Sequence, residues 1–154
     1  MGVLEVSEPS SALVYWGQRQ KTKDTFRGSW NRTGDNYSIS EEGVMTYGGR
    51  NDDMLKVGGI YVSPFEVEAA LIKHEAVLEA AVVGKNDQDG LVKPKRFIVL
   101  NKNFSGPDEL ASESINFAKT NLAEYKYPRW VGFLDELPKT ATGKIQKFKL
   151  RTAN

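Results

Sequence analysis

The fold is decided by residues 54–74, whose sequence is MLKVGGIYVSPFEVEAALIKH. Short apolar runs stand on either side of Gly58 and Gly59, and a glycine pair in that setting predicts a two-residue hairpin turn. Ser63, Pro64 and Glu66 then supply a helix N-cap, a proline at the first helical position and an acidic residue three positions after the cap. The stretch therefore predicts a β-hairpin followed at once by a helix that reaches about His74.

Downstream of this helix, β-rich runs alternate with helical patterns. Strands are predicted at 78–84, 96–100 and 130–134, with a turn at 87–90, and helices from Pro107 to about Ala123 and over 145–151. Residues 139–144 form a loop. The order hairpin, α, β, β, α, β, α predicts an α+β domain in which helices cover a small three-stranded sheet.

The first 50 residues have a different texture, rich in Gly, Ser, Asn and aromatic residues. Strands are predicted at 2–6, 36–39 and 44–47, and Glu42 and Gly43 mark the turn between the last two. No periodic helix of useful length is predicted here. We expect an N-terminal β-strand segment that cannot close a core alone and packs on something larger.

Composition excludes several classes of protein. The 154 residues hold 21 basic and 20 acidic side chains, and a nucleic-acid binder of this size usually has a basic excess. The absence of cysteine leaves no thiolate metal site, and His74 is the only histidine, so we expect no metal site. No apolar run approaches the roughly 20 residues that span a bilayer, and the N-terminus lacks a signal-peptide core. We expect a cytoplasmic protein with no membrane or nucleic-acid partner.

Three segments together resemble one family. They are Trp30-Asn31-Arg32-Thr33-Gly34-Asp35, then residues 49–59 (GRNDDMLKVGG) followed by 62–68 (VSPFEVE), and residues 137–145 (LPKTATGKI). Their order and spacing resemble the adenylate-forming superfamily of acyl-CoA synthetases, luciferases and peptide-synthetase adenylation domains. The resemblance covers the whole chain but only the C-terminal third of a family enzyme. It implies that residues 1–51 end a large ATP- and acid-binding domain, and that residues 52–154 form a mobile C-terminal cap domain.

Within the superfamily, the chain is most similar to the benzoate–CoA ligase group. The stretches that carry this likeness are 53–57, 61–64, 76–84 and 139–151. The resemblance implies an AMP-forming acid–thiol ligase, which converts acid, ATP and CoA to acyl-CoA, AMP and pyrophosphate. ATP, Mg²⁺ and coenzyme A are then substrates or ions of the complete enzyme, with none tightly bound here. An aromatic carboxylic acid is the implied small-molecule partner, and aromatic degradation the implied setting.

Two residues are candidates for nucleotide binding. A carboxylate after a Thr-Gly turn can accept hydrogen bonds from the vicinal hydroxyls of ribose, and the alternative is that Asp35 caps its own turn. Arg50 offers a fixed fork of donors for ribose or phosphate oxygens, and its alternative is a surface pair with Asp52 or Asp53. The resemblance assigns both Asp35 and Arg50 to the nucleotide.

The two acids after Arg50 indicate a hinge between domains and not a metal site. Asp52 and Asp53 are adjacent in an extended segment, so their side chains point apart and should not converge on one atom. By resemblance, Asp52 is the hinge about which the cap rotates between adenylation and thioester formation. Gly58 and Gly59 form a tight hairpin, and by resemblance the same turn lines the path of the CoA pantetheine arm.

Lys144 is the candidate catalytic residue. Thr140, Thr142 and Gly143 make a flexible polar loop that presents it, and a positioned ammonium would stabilise the charge that builds when ATP is attacked at its α-phosphate. The alternative is a solvated lysine in a basic tail that holds Lys139, Lys144, Lys147, Lys149 and Arg151. The family also implies regulation by a lysine acetyltransferase and deacetylase, since acetylation would remove the Lys144 charge.

The sequence lacks the rest of a working ligase. It has no Gly/Ser/Thr-rich phosphate loop, acid pocket or adenine platform, so we expect a fragment that is inactive without the missing N-terminal domain. Alternatives are another adenylate-forming enzyme, with a carrier-protein thiol or an oxygen as acceptor, and a non-catalytic α+β binding or interaction module.

Overall fold

The computed structural model describes residues 1–104, 117, 120 and 122–152. The chain divides into two compact units, Met1–Asp52 and Asp53–Asn154. Among the described residues, the first unit contains a four-stranded sheet, and the second contains a two-stranded and a three-stranded sheet. In the described part of the chain, no helix has the length and apolar character needed to cross a bilayer.

The first unit is an antiparallel sheet built on one long central strand. That strand, β3 (Trp30–Ile39), pairs with three others, which are β1 (Gly2–Val6), β2 (Phe26–Arg27) and β4 (Met45–Arg50). The strand predicted at 2–6 is confirmed with those bounds. The turn at Glu42 and Gly43 is also confirmed, because the Gly43 N–H donates to the Ser40 carbonyl at 3.0 Å.

The first unit also contains one short helix among its described residues, which has no hydrophobic periodicity and so does not contradict the prediction that no periodic helix of useful length occurs here. A seven-residue helix, α1 (Arg19–Thr25), precedes β2 and buries none of its side chains. Its sequence, RQKTKDT, contains no apolar residue and therefore has no hydrophobic periodicity to detect. The hydroxyl of Thr22 tethers it, donating to the Gln18 carbonyl at 2.9 Å and accepting from the Tyr15 N–H at 3.0 Å.

The second unit begins with the predicted hairpin. Strands β5 (Leu55–Val57) and β6 (Ile60–Val62) pair across Gly58 and Gly59, whose φ angles of 56° and 86° are typical of a type I′ turn. Helix α2 (Pro64–Leu71) follows, and the Ser63 hydroxyl accepts from the Glu66 N–H at 3.3 Å, as the N-cap pattern predicted. The helix ends at Leu71 rather than near His74.

A three-stranded sheet forms the centre of this unit. Strands β7 (Val77–Asn86) and β8 (Val92–Leu100) are antiparallel, and β9 (Trp130–Phe133) runs parallel to β8. The chain then forms the loop around Lys144 and the short helix α3 (Lys147–Thr152). The helix predicted from Pro107 to about Ala123 lies outside the described residues, apart from Phe117 and Thr120, which are helical, and Leu122 and Ala123.

Both faces of the sheet are buried, which explains the apolar runs 80–83 (AAVV) in β7 and 97–100 (FIVL) in β8. One face packs on the hairpin and α2, and its buried residues include Leu55, Val62, Val67, Leu71, Val82 and Ile98. The opposite face packs on α3 and the loop before it, through Ala81, Val83, Phe97, Val99, Leu137 and Leu150. The predicted α+β class, with a hairpin and a helix-covered sheet of three strands, is confirmed.

Candidate functional site

The structure brings the two predicted nucleotide residues together within the first unit. Asp35 and Arg50 are directly opposite each other in the β3–β4 ladder. The Arg50 Nη1 lies 3.3 Å from Asp35 Oδ1, and the same guanidinium donates from Nε to Asp52 Oδ1 at 3.1 Å. The hydrogen bond to Asp52 raises the pKa of Arg50, so the guanidinium stays charged. The surface pair considered as an alternative for Arg50 is therefore present alongside the contact with Asp35.

The Thr-Gly turn predicted before Asp35 is instead a bulge within β3, and it fits around this guanidinium. The Thr33 hydroxyl donates to the Leu4 carbonyl at 3.0 Å and accepts from the Asp35 N–H at 3.1 Å, which fixes the start of the bulge. Gly34 has a φ of +79°, and a Cβ added there would lie 2.9 Å from Arg50 Nη2. A glycine is needed here for its backbone angle and for the space that Arg50 occupies.

We expect the substitution Gly34→Ala to destabilise the chain more than Gly28→Ala does. Both glycines have positive φ, which costs alanine on the order of 1–3 kcal/mol, but a Cβ at Gly28 would meet nothing within 4 Å. The excess in Gly34→Ala therefore measures the displacement of Arg50. Urea unfolding of the two variants gives the comparison, and equal losses would show that the guanidinium moves aside at no cost.

Lys144 lies on a loop that hydrogen bonds close at its base. Lys139 and Ile145 form an isolated antiparallel bridge, and the Gln146 N–H donates to the Pro138 carbonyl at 2.8 Å. Inside the loop, the Thr140 N–H donates to the Lys144 carbonyl at 2.8 Å, and the Lys144 N–H donates to the Thr140 hydroxyl at 3.1 Å. These bonds fix the backbone at position 144 while its side chain is exposed.

The basic tail is less uniform than its sequence indicates. Three of its cations pair with acids of the same unit: Lys139 with Glu79, Lys147 with Glu68 at 2.8 Å, and Arg151 with Asp53 at 2.7 Å. Lys144 forms no ion pair with any residue that the structure describes. The segment therefore presents Lys144 outward on its loop instead of forming an unbroken basic patch.

The hairpin turn is open to solvent and borders a groove. A Cβ added at Gly58 or Gly59 would meet nothing within 4 Å. A groove of about 260 Å³ runs beside Gly58, with mostly apolar walls and two cations, and is lined by Val57, Ile60, Lys93, Pro94, Glu124, Tyr125, Tyr127 and Arg129. Tyr127 packs on the core, but Tyr125 is exposed at the groove.

The carboxylates of Asp52 and Asp53 have different partners. Both residues belong to a single 3₁₀ turn, Asn51–Asp53. Asp52 binds Arg50, whereas Asp53 binds Arg151. The extended segment predicted for these two acids was wrong, because they lie in a 3₁₀ turn, where they bind different arginines. No cluster of three or more potential metal-binding side chains occurs among the described residues.

Sequence reasoning missed one acidic residue of this unit. Glu68 on α2 accepts from the Val82 N–H at 2.7 Å and from the Lys147 ammonium at 2.8 Å. Burial raises the pKa of Glu68, although Lys147 and the Val82 N–H act in the opposite direction. The pair joins residues 79 positions apart, so local sequence patterns hold no signal for it. A glutamate at a position otherwise suited to the buried face of α2 was the only hint.

Comparison with known proteins shows which family the chain resembles in sequence. Residues 66–144, just over half of the chain, match the family described as the AMP-binding enzyme C-terminal domain. The chain is 59% identical over 152 residues to a benzoate–CoA ligase of Thauera aromatica, covering 99% of this chain and 29% of that protein. It is 52% identical over 152 residues to a 4-hydroxybenzoate–CoA/benzoate–CoA ligase of Rhodopseudomonas palustris, covering 98% of this chain and 28% of that protein.

Solved structures agree with these relatives. An anthranilate CoA ligase, AuaEII, in complex with anthranoyl-AMP has a TM-score of 0.91 at 49% identity, covering 99% of this chain and 30% of that one. A benzoate CoA ligase from Burkholderia xenovorans has a TM-score of 0.88 at 53% identity, and the match covers 97% of this chain and 30% of that one. The chain thus spans less than a third of the length of these relatives. The predicted family is confirmed, and the chain belongs to the AMP-binding enzyme C-terminal domains.

Proposed function

We propose that this chain supplies the C-terminal part of an AMP-forming acid–CoA ligase whose acid is aromatic, with benzoate as the first candidate. The observation that carries the proposal is the hydrogen-bonded loop that presents Lys144 without an ion-pair partner among the described residues. The relatives named as benzoate–CoA ligases, at 52–59% identity, support the choice of acid and of thiol acceptor. The proposed reaction converts acid, ATP and CoA to acyl-CoA, AMP and pyrophosphate.

In the proposed first half-reaction, the acid's carboxylate attacks the α-phosphorus of ATP and pyrophosphate leaves. Negative charge builds on the phosphoryl oxygens, and the Lys144 ammonium stabilises it as a fixed point charge. Mg²⁺ enters with ATP as part of the substrate. Because Asp35 and Asp52 pair with Arg50, and Asp53 pairs with Arg151, we assign no Mg²⁺ ligand to these acids.

Asp35 and Arg50 are proposed to bind the nucleotide in this scheme. The guanidinium occupies Asp35 Oδ1, which leaves Oδ2 free to accept from the ribose hydroxyls. The side chains are 32% and 46% exposed, so a ligand can reach both. Their mutual contact fixes the carboxylate before ATP arrives.

Asp35→Ala is expected to raise the KM for ATP about 10- to 100-fold, the equivalent of one charged hydrogen bond lost. The matched control is Asp24→Ala, which removes another exposed acid of the same unit, whose carboxylate accepts a hydrogen bond from the Gln20 side chain at 3.0 Å. Initial rates of the complete enzyme at varied ATP concentration give the KM for ATP of both variants. An unchanged KM in Asp35→Ala would remove the ribose role.

The hairpin and its groove are proposed to serve the second half-reaction. Gly58 and Gly59 leave the turn free of side chains, so a thin pantetheine arm could pass it closely. The groove beside Gly58 has apolar walls and two flanking cations, which suit the extended amide chain of a phosphopantetheine thiol. Residues 52–154 then act as a mobile cap with Asp52 as the hinge, and residues 1–51 end the large domain.

Lys144 is also the proposed target of a reversible acetylation. Its side chain is exposed on a loop, which gives a modifying enzyme access. Acetylation would remove the charge on which the first half-reaction depends.

The function can be tested with a hybrid enzyme in which this chain replaces the matching 29% of the Thauera aromatica relative. The hybrid is expected to release AMP and form benzoyl-CoA from benzoate, ATP, Mg²⁺ and CoA, while the chain alone forms neither. A folded hybrid that releases no AMP, or product formed by the chain alone, would contradict the proposal. A panel of aliphatic and aromatic acids with carrier-protein and CoA acceptors separates the other adenylate-forming activities.

A further inference from the structure

Four charged side chains of the second unit form one connected network. Glu68 on α2 pairs with Lys147 at 2.8 Å, and Asp53 pairs with Arg151 at 2.7 Å. Lys147 also lies 4.0 Å from Asp53, which joins the two pairs. The side chains of Glu68 and Lys147 are only 12% and 16% exposed, so this part of the network is largely shielded from water.

The network attaches α3 to the rest of the unit at two points. Lys147 is the first residue of the helix, and Arg151 lies one turn later on the same side. Glu68 is in turn fixed by the Val82 N–H, which donates to the same carboxylate oxygen at 2.7 Å. The start of α3 is thereby tied to a strand of the central sheet through a single glutamate.

This attachment lies next to the stem of the Lys144 loop. Lys147 follows Lys144 by three residues, and the intervening Ile145 and Gln146 form the closing bridge and the hydrogen bond to Pro138. Leu150 and Ile145 pack against the core on the same face. A shift at Lys147 would therefore be transmitted to the stem and to the backbone of Lys144.

We propose that the Glu68–Lys147–Asp53–Arg151 network positions the Lys144 loop for adenylation, and that Lys147 and Glu68 are its positioning residues. The inference rests on the proposed role of Lys144. Asp53 adjoins Asp52, so the network also connects the first residue of the unit with the loop. Rotation of the backbone before Asp53 would then move Lys144 as part of one rigid body.

Burial of Glu68 fixes the position that Lys147 must take. A carboxylate shielded from water is destabilising unless a cation pairs with it, so the Lys147 ammonium has to lie beside Glu68. Leu150 alone could hold α3 against the sheet by apolar packing, but it would allow the helix to slide. The ion pairs fix its position along the sheet, and a displacement of about 1 Å at a catalytic group can cost about 100-fold in rate.

The test uses the hybrid enzyme with three substitutions, Lys147→Met, Lys147→Arg and Glu68→Gln. We expect Lys147→Met and Glu68→Gln to slow single-turnover adenylation about 10- to 100-fold, with the change in kcat rather than in the KM for ATP. Transfer of the acyl group from preformed benzoyl-adenylate to CoA should stay unchanged. Lys147→Arg keeps the charge and should recover most of the adenylation rate.

A second measurement is independent of catalysis. In the isolated chain, the amide hydrogens of Lys144 and Thr140 should exchange faster in Lys147→Met and Glu68→Gln than in the parent, with Lys147→Arg near the parent. The matched control is Lys126→Met, which removes a lysine of comparable exposure, 21% against 16% for Lys147, from its pair with the more exposed Glu66 at 2.6 Å. This control should change neither the loop exchange nor the adenylation rate.

Unchanged adenylation in both neutral variants, or equal losses in the two half-reactions, would overturn the positioning role. Equal losses would show that the network only supports folding. If the proposed function fails instead, the results differ. Lys147→Met and Glu68→Gln would still speed amide exchange in the loop, but Lys144→Ala would leave adenylation intact. If Lys147→Met does not fold, Glu68→Gln alone tests the positioning role, because the amide oxygen of the new glutamine can still accept the hydrogen bond from the Val82 N–H.

Discussion

Replacing Lys144 with alanine in the hybrid enzyme is expected to slow acyl-adenylate formation about 100- to 1,000-fold. The substitution removes the exposed cation that the closed loop presents, and the developing phosphoryl charge then loses the fixed partner that the loop supplies. The effect should appear in kcat, because the charge develops in the transition state. Pyrophosphate exchange measures this step, and acyl transfer from preformed benzoyl-adenylate should continue at the parent rate.

Three variants show whether the charge at position 144 is responsible. Lys149→Ala removes an exposed lysine of the same basic tail and should leave both half-reactions unchanged. Lys144→Gln has the neutrality of acetyl-lysine and should be as slow as Lys144→Ala. Lys144→Arg keeps the charge but changes its shape and should be intermediate. Full pyrophosphate exchange in Lys144→Ala would eliminate the catalytic role.

Gly59→Val is expected to give the opposite pattern, with thioester formation slowed on the order of 100-fold and adenylation retained. The new side chain would project from the open turn into the proposed pantetheine path. It would also be held at a φ of +86°, where a β-branched residue is strained. Benzoyl-CoA formation from preformed benzoyl-adenylate measures the loss.

The matched control for this substitution is Gly90→Val. Gly90 has a φ of +75°, lies in the turn between β7 and β8, and also has nothing within 4 Å of an added Cβ. It therefore carries the same kind of strain without blocking the proposed path. Equal losses in Gly59→Val and Gly90→Val would attribute the effect to general destabilisation and remove the hairpin from the thiol path.

The hairpin, the N-cap of α2 and strand β1 could be predicted because each depends on a local pattern. Gly58 and Gly59 specify their turn through backbone angles, and Ser63 caps the residue three positions on. The pairing of Asp35 with Arg50 was not predictable in the same way. It depends on the register of β3 against β4, which the sequence suggested only through family resemblance.

Features that depend on distant or solvent-exposed residues could not be predicted. Helix α1 has only polar residues, so nothing in its pattern separates it from a loop. Glu68 and Lys147 meet because α2 and α3 both pack against β7, and no spacing rule brings residues 79 positions apart together. The groove beside Gly58 similarly combines residues from three separated segments.

The catalytic role of Lys144 requires a short distance between its ammonium and the α-phosphate of the bound nucleotide. A crystal structure of the hybrid enzyme with benzoate and a non-hydrolysable ATP analogue would measure it. We expect Lys144 Nζ to lie within about 3.5 Å of an α-phosphate oxygen. A structure with both ligands seated and this ammonium directed into solvent, together with unimpaired adenylation in Lys144→Ala, would contradict it.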